Sequence, residues 1–112
     1  MLRPITMAMT ALFALFLALG PSLAYENKTD RPGGDYKSFD IVIPKSGTIV
    51  STATMCESKC KSELRCYAWT LVDRGVQGPN ARCWLKNSIP EPRPCSFCTS
   101  GSFRQKMIRN SF

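Results

Sequence analysis

The feature that most constrains this chain of 112 residues is a set of six cysteines, all of them between residues 56 and 98. They stand at Cys56, Cys60, Cys66, Cys83, Cys95 and Cys98. A dense, even set of cysteines in a small chain is typical of a disulfide framework formed in an oxidising compartment. A chain this small buries too little of its surface on folding for its hydrophobic core alone to give much stability. Disulfide cross-links therefore contribute much of its stability. We therefore expect one small, exported, disulfide-bonded domain.

The N-terminal residues agree with export. Arg3 is the single charge in the first ten residues, and it precedes an apolar run at 11–19, a Gly-Pro break and a small residue at Ala24. The run is about half of the roughly 20 residues needed to span a bilayer, so a signal peptide at 1–24 is favoured over a membrane anchor. The mature chain, 25–112, then lacks a transmembrane segment and is periplasmic or extracellular.

Residue content argues against catalysis. The chain has no histidine, which excludes a Ser-His-Asp or Cys-His nucleophile and any histidine-ligated metal. The acidic residues are scattered and suggest no catalytic pair. The spacing of Cys95 and Cys98 is that of a thiol oxidoreductase, but Pro94 precedes it and no βαβ pattern surrounds it. A zinc site of four cysteines is equally weakly supported. Only one close pair of cysteines has the spacing of zinc ligands, and the other two ligands would have to come from the helix. We expect no enzyme, metal or cofactor.

The first part of the mature chain has few regular elements. Residues 25–35 are polar and rich in turn formers, which predicts a loop leading into the structure. Residues 36–43 alternate and then become apolar, which predicts a strand stopped by Pro44. A turn at 45–48 and a short extended piece at 49–50 follow.

A helix is predicted next. Thr54 and Glu57 have the spacing of a capping box, and the helix would run to about residue 64. One face carries apolar and sulfur-bearing residues at helical spacing, whereas the other is polar. This face is formed by Ala53, Cys56, Cys60 and Leu64. Two cysteines on the buried side are placed to join the helix to the structure beneath it.

The remainder predicts a sheet. Residues 66–72 have strong strand character, and 82–86 form their antiparallel partner after a long turn at 73–80. One more short strand is expected between 95 and 103. Residues 104–112 form a basic tail.

The cysteine pattern carries a family resemblance. The spacing Cys56-x3-Cys60-x5-Cys66 leads into the strand Cys-Tyr-Ala-Trp-Thr-Leu-Val, and Cys83 lies within Ala-Arg-Cys-Trp-Leu-Lys-Asn. These elements resemble the PAN/apple domain family, especially its short secreted bacterial members. Further similarity lies at 35–39, 75–79 and 98–101, so the likeness covers about residues 26–102.

The resemblance implies an α+β fold, in which a small, curved antiparallel β-sheet has one α-helix packed across it. It also implies disulfides between Cys56 and Cys83 and between Cys60 and Cys66. Larger apple domains have a further cysteine near the mature N-terminus, which this chain lacks. A local bond between Cys95 and Cys98 is then the simplest assignment, while two free thiols or pairing with another chain remain open.

The resemblance implies a secreted, non-enzymatic module, residues 25–103, that binds protein or carbohydrate. The expected surface is the 73–80 loop together with the sheet face opposite the helix. An exposed aromatic ring there would stack on a sugar or anchor a protein, although tryptophan in so small a domain is more often core. The candidate contact residues are Tyr67, Trp69, Trp84, Asp73, Arg74, Gln77 and Asn80.

The chain carries a formal net charge of +7, and its C-terminal part is basic. Residues 92–112 contain Arg93, Arg104, Lys106 and Arg109 and no acidic residue. They are interpreted as a solvated, partly disordered tail, or as a weak, salt-sensitive contact with an anionic envelope polymer, lipid or glycan. The alternative function is accordingly that of a small cationic protein acting on envelopes or membranes. No nucleic-acid partner is expected for an exported chain.

Overall fold

The computed structural model describes residues 25–43 and 51–111, in which one antiparallel sheet has the strand order β1-β5-β3-β4-β2. The elements are β1 (Glu26–Asp30), β2 (Asp35–Ile41), α1 (Thr52–Ser62), β3 (Ala68–Val72), β4 (Ala81–Lys86), β5 (Arg93–Ser102) and α2 (Arg104–Asn110). The predicted α+β architecture is confirmed. The signal peptide 1–24 and the turn and extended piece at 45–50 lie outside the described residues. No helix within the described residues is long and apolar enough to cross a membrane.

The core lies between α1 and one face of the sheet. Trp69 and Leu71 project from β3 toward α1, and Cys83 and Leu85 project from β4. Because β3 is the central strand and is covered on both sides, all five of its residues are buried. The buried cluster comprises Ile41, Ala53, Cys56, Cys60, Cys66, Trp69, Leu71, Ala81, Cys83 and Leu85.

Helix α1 differs in detail from the prediction. It spans Thr52–Ser62, so it begins before the predicted capping box of Thr54 and Glu57, which is wrong. The Thr54 hydroxyl instead shares a 2.6 Å hydrogen bond with the hydroxyl of Tyr25. Leu64 was expected on the buried face but is 80% exposed, because the helix ends before it.

Two strand predictions are also corrected. Residues 25–35 were expected to be a loop, but Glu26–Asp30 form edge strand β1, which pairs with β5. The polar side chains of β1 are compatible with an edge position, where the backbone hydrogen bonds to one neighbour while side chains remain half-exposed. β5 is a long strand, Arg93–Ser102, rather than a short one, because β1 and β3 flank it on both sides.

Three disulfides connect these elements. Cys56–Cys83 joins α1 to β4, and Cys60–Cys66 closes the turn between α1 and β3. The third is Cys95–Cys98, within β5. All six cysteines lie within the described residues and all are paired. These are the pairs that the family resemblance and the simplest local assignment imply.

The third disulfide closes a bulge in β5. Asn27 and Thr29 of β1 pair with Thr99 and Pro94 of β5, so one β1 residue stands opposite four residues of β5. The intervening β1 residue, Lys28, takes a positive φ of 53°. The disulfide therefore holds together the two sides of a widened stretch of strand.

A short connection forces the sheet to curl. β1 and β2 are at opposite edges, yet residues 31–34 alone join them. The chain from Asp30 to Asp35 reaches about 17 Å, whereas four strand spacings in a flat sheet span about 19 Å. Gly33 and Gly34 have φ values of 104° and 73°, which permit a sharp path. The two edges must therefore approach each other at this end of the sheet.

The C-terminal segment is structured. Residues 104–110 form α2, and the Lys106 ammonium donates to the carbonyl oxygens of Cys60 at 3.1 Å and Glu63 at 2.6 Å. The amide of Asn110 donates to the carbonyl of Leu64 at 3.2 Å. A cation at the end of α1 satisfies carbonyls that the helix itself leaves unpaired. The expectation of a partly disordered tail is therefore wrong for residues 104–110, which form a helix, although most of their side chains are exposed, as expected for a solvated segment.

Candidate functional site

The sheet face opposite α1 is built from alternate residues of the central strands. In the β3–β4 register Thr70 lies opposite Trp84 and Ala68 lies opposite Lys86. In the β3–β5 register Ser100 lies opposite Thr70. Since side chains alternate between faces and Trp69 points to the helix, these residues share the other face.

A pocket of about 230 Å³ opens on this face. Its floor and one wall come from the sheet, and its rim comes from the ends of the edge strands, the 31–34 connection and the 73–80 loop. The polar and aromatic side chains that line it are Asp30, Asp35, Thr70, Gln77, Trp84 and Lys86. The curl of the sheet thus brings residues of β1 and β2 to one site.

Lys86 is the buried cation of this pocket. Its side chain is 2% exposed, and its ammonium group lies 2.6 Å from a carboxylate oxygen of Asp35. It also donates to the carbonyl oxygen of Gly33 at 3.2 Å. A buried charge is tolerated when it is paired and hydrogen-bonded, and both conditions hold here. Lys86 therefore ties the 31–34 connection to the sheet.

The ring of Trp84 is held in a defined orientation. Its indole Nε1–H donates to Oε1 of Gln77 at 2.9 Å, which links β4 to the 73–80 loop. The guanidinium carbon of Arg82 lies 5.9 Å from the ring centroid. Arg82 is itself anchored, because it bonds Asp40 at 2.9 Å and Ser38 at 2.8 Å. Trp84 is half-buried, so part of the ring remains available in the pocket.

The floor beneath is tied across three strands. The hydroxyls of Thr70 and Ser100 lie 2.7 Å apart, and the Ser100 hydroxyl donates to the Thr29 carbonyl at 2.8 Å. Both Thr70 and Ser100 are buried. These bonds connect β3, β5 and β1, so the floor is satisfied internally and is preorganised.

The structure divides the aromatic candidates among three places. Trp84 lies in the pocket, together with Gln77 from the loop. Trp69 is fully buried and meets Tyr25 edge to face, with ring centroids 5.6 Å apart, so its prediction as a surface contact is wrong. Tyr67 lies under α2, where its hydroxyl accepts a hydrogen bond from Asn110 at 3.1 Å.

The remaining candidates lie away from this pocket. Asp73, Arg74 and Asn80 line a separate cavity of about 290 Å³ with Ile41, near the start of α1. The predicted loop surface is thus divided, with Gln77 on one side and these three residues on the other. Any contact by them with a ligand stays a prediction.

Sequence reasoning missed Asp30, Asp35, Thr70 and Lys86. Strict alternation in β3 and β4 would have placed Thr70 and Lys86 on the face of Trp84, once Trp69 was known to point to the helix. No local signal points to the two aspartates. They reach the pocket because the 31–34 connection crosses the end of the sheet.

Comparison with known families agrees with this architecture. Residues 29–86 match the family model of the PAN domain. This segment contains all six polar and aromatic pocket residues and the two disulfides that attach α1. PAN domains are in general binding modules for protein or carbohydrate rather than enzymes. No curated protein gives a significant match to the chain. Since the family match covers more than half of its residues, the chain belongs to the PAN domain family.

Proposed function

We propose that this protein is an exported, non-enzymatic binding module that holds one unit of a carbohydrate in the pocket beside Trp84. The observation that carries the proposal is the combination of an oriented indole ring with hydrogen-bonding groups in one small cavity. Family membership supports a binding role, and the paired cysteines support export to an oxidising compartment.

The lining suits the two sides of a sugar ring. An indole face packs against the C–H groups of a pyranose, which form its apolar surface. Sugar hydroxyls can both donate and accept, and the carboxylates of Asp30 and Asp35 accept while the amide of Gln77 does both. The pocket therefore offers partners to each surface of such a ligand.

The size of the pocket also favours a small unit. Its volume of about 230 Å³ is below the roughly 300–1,000 Å³ of ordinary small-molecule pockets. One sugar ring, at the end or within an oligosaccharide, suits this space better than a folded protein surface does. A protein ligand could place only a single side chain in this pocket.

The chemistry of the pocket supports binding rather than catalysis. Its buried ammonium, on Lys86, is already engaged by Asp35 and the Gly33 carbonyl. All six cysteines lie within the described residues and form disulfides, so none of them can supply a thiolate nucleophile. The polar groups are arranged to hold a ligand in place.

A glycan array probed with protein purified from an exported fraction tests the proposal. Titration with a hit is followed by calorimetry, because Trp69 is buried on the other face and a variant without Trp84 would have no fluorescent group at the pocket. We expect Trp84→Ala to weaken binding at least tenfold. Arg74→Ala, in the same loop as Gln77 but in another cavity, should leave it unchanged. Absence of any hit, or equal binding by Trp84→Ala, would contradict the pocket assignment.

Salt dependence separates the proposal from the alternative of a cationic envelope-active protein. A neutral oligosaccharide held by hydrogen bonds and stacking should remain bound at high ionic strength, whereas a charge-driven partner should be released. Binding that disappears with salt and ignores Trp84→Ala would favour the alternative.

A further inference from the structure

The packing of α2 against α1 gathers positive charge at one end of the molecule. The basic corner comprises Lys37, Lys59, Lys61, Arg65, Lys106 and Arg109. Lys37 and Lys59 both approach the carboxylate of Glu63, at 2.6 and 3.6 Å. Lys106 donates to the backbone carbonyl of Glu63. Burial, foremost, and the nearby charge of Arg109 lower the pKa of Lys106. Arg65 stacks over the ring of Tyr36 at 4.1 Å.

The positive charge of the basic corner is far from balanced. Glu63 is the carboxylate at its centre, and Glu57 lies one turn of α1 before Lys61. Their charges leave most of the cations without a counter-charge. Lys37, Lys59, Lys61, Arg65 and Arg109 are exposed, so this charge faces solvent. A surface of this kind attracts a polyanion or an anionic surface.

An apolar side chain stands in the middle of the corner. Leu64, between Glu63 and Arg65, is 80% exposed. Its backbone is held by Asn110, whose amide donates to the Leu64 carbonyl at 3.2 Å. The turn is therefore fixed with Leu64 pointing outward. Exposed apolar residues ringed by cations fit the interface of an anionic membrane, where the cations meet headgroups and the leucine enters the acyl boundary.

We propose that the basic corner docks the protein onto a membrane surface containing anionic phospholipids, with Leu64 inserted among the headgroups. This site is independent of the carbohydrate pocket. α1 and the basic corner lie on one side of the sheet and the pocket lies on the other. Docking therefore presents the pocket toward solution, where a ligand can reach it.

Vesicle sedimentation with the exported protein tests this assignment. We expect binding to vesicles that contain phosphatidylglycerol and little binding to vesicles of phosphatidylcholine alone, with affinity falling as salt is raised. Lys61→Gln with Arg109→Gln removes two exposed cations and should weaken binding about 25-fold, at about fivefold for each. Leu64→Ser should weaken it about tenfold without changing the charge.

A matched charge control is available. Arg74→Gln with Arg93→Gln changes the net charge equally, and Arg74 lies near Thr52 at the opposite end of α1. This control should bind within about twofold of the parent if the basic corner is the docking surface. Circular dichroism of every variant checks the fold.

Three results would overturn the proposal. The first is no binding to phosphatidylglycerol vesicles. The second is an equal loss in the two charge variants, which would show an effect of net charge alone. The third is binding to a soluble anionic polysaccharide, dextran sulfate, that depends on Lys61 and Arg109 but not on Leu64, with no vesicle binding.

Discussion

The indole ring of Trp69 covers Gly101 of the neighbouring strand, and a Cβ built at position 101 would come within 2.7 Å of three ring atoms. β3 and β5 pair Trp69 with Gly101 directly. The ring occupies the space that a side chain on β5 would need. The position of this tryptophan therefore depends on a glycine in β5, three strands away from the edge strand β2, which begins at the pocket aspartate Asp35.

Gly101→Ala is expected to destabilise the fold by about 1–3 kcal/mol, because the added methyl group must displace a fully buried ring. Urea unfolding followed by tryptophan fluorescence measures the loss. Ser102→Ala, at the next and exposed position, is the control and should unfold near the parent midpoint. An unchanged midpoint for Gly101→Ala would show that the ring can move.

The disulfides should differ in their effect on stability. Replacing Cys56 and Cys83 by alanine opens a loop with a sequence separation of 27 residues and should cost about 3–4 kcal/mol in the chain-entropy account. Replacing Cys95 and Cys98 opens a loop with a separation of 3 and should cost about 2 kcal/mol. Urea unfolding of the two double variants gives the comparison. Peptide mass mapping of the native protein checks the three pairings, and any other connectivity would contradict the structure.

Lys106→Met is expected to lower stability by about 1–2 kcal/mol. The methionine keeps most of the aliphatic stem but removes the ammonium that serves the carbonyls of Cys60 and Glu63. Thermal unfolding measures this effect, and amide hydrogen exchange should accelerate in the last turn of α1. Gln105→Met, on the adjacent exposed position of α2, is the control. Equal exchange in both variants would argue against a capping role.

Acid should weaken the contacts of Glu63. A hydrogen bond from Lys37, foremost, and one from Tyr36 hold the pKa of Glu63 below its ordinary 4.5. The folded protein then binds a proton less readily than the unfolded chain, so this contribution is present above pH 4.5 and is lost as pH falls through the lowered pKa. Glu63→Gln should flatten the fall in thermal midpoint across that range. Glu91→Gln, at an exposed position, should retain the parent slope.

The central part of the fold could be predicted because local pattern and tertiary structure agree there. The strand beginning after Cys66, its partner around Cys83 and the helix with Cys56 and Cys60 all follow from apolar periodicity and cysteine spacing. β1 could not be predicted, because a polar edge strand resembles a loop until its partner is known. That partner, β5, comes from the other end of the chain.

The pocket was predicted in part. The sheet face opposite the helix and the loop containing Gln77 were expected, and Trp84 lies there. Trp69 was misplaced because β3 is buried on both faces, so burial pattern alone does not reveal which side meets the helix. Asp30 and Asp35 could not be predicted as pocket residues from the sequence. They come together only because the 31–34 connection is short relative to the width of the sheet.

The shape of the pocket depends on the length of the 31–34 connection as much as on the side chains that line it. Residues 31–34 act as a tether that sets how far apart the two edges of the sheet can stand. Inserting residues there would let the edges separate and the concave face open, without altering a single residue on β3 or β4. Loop insertion is tolerated more readily than a change in a packed strand. Lengthening or shortening this connection should thus change the width of the concave face while its floor on β3 and β4 stays the same.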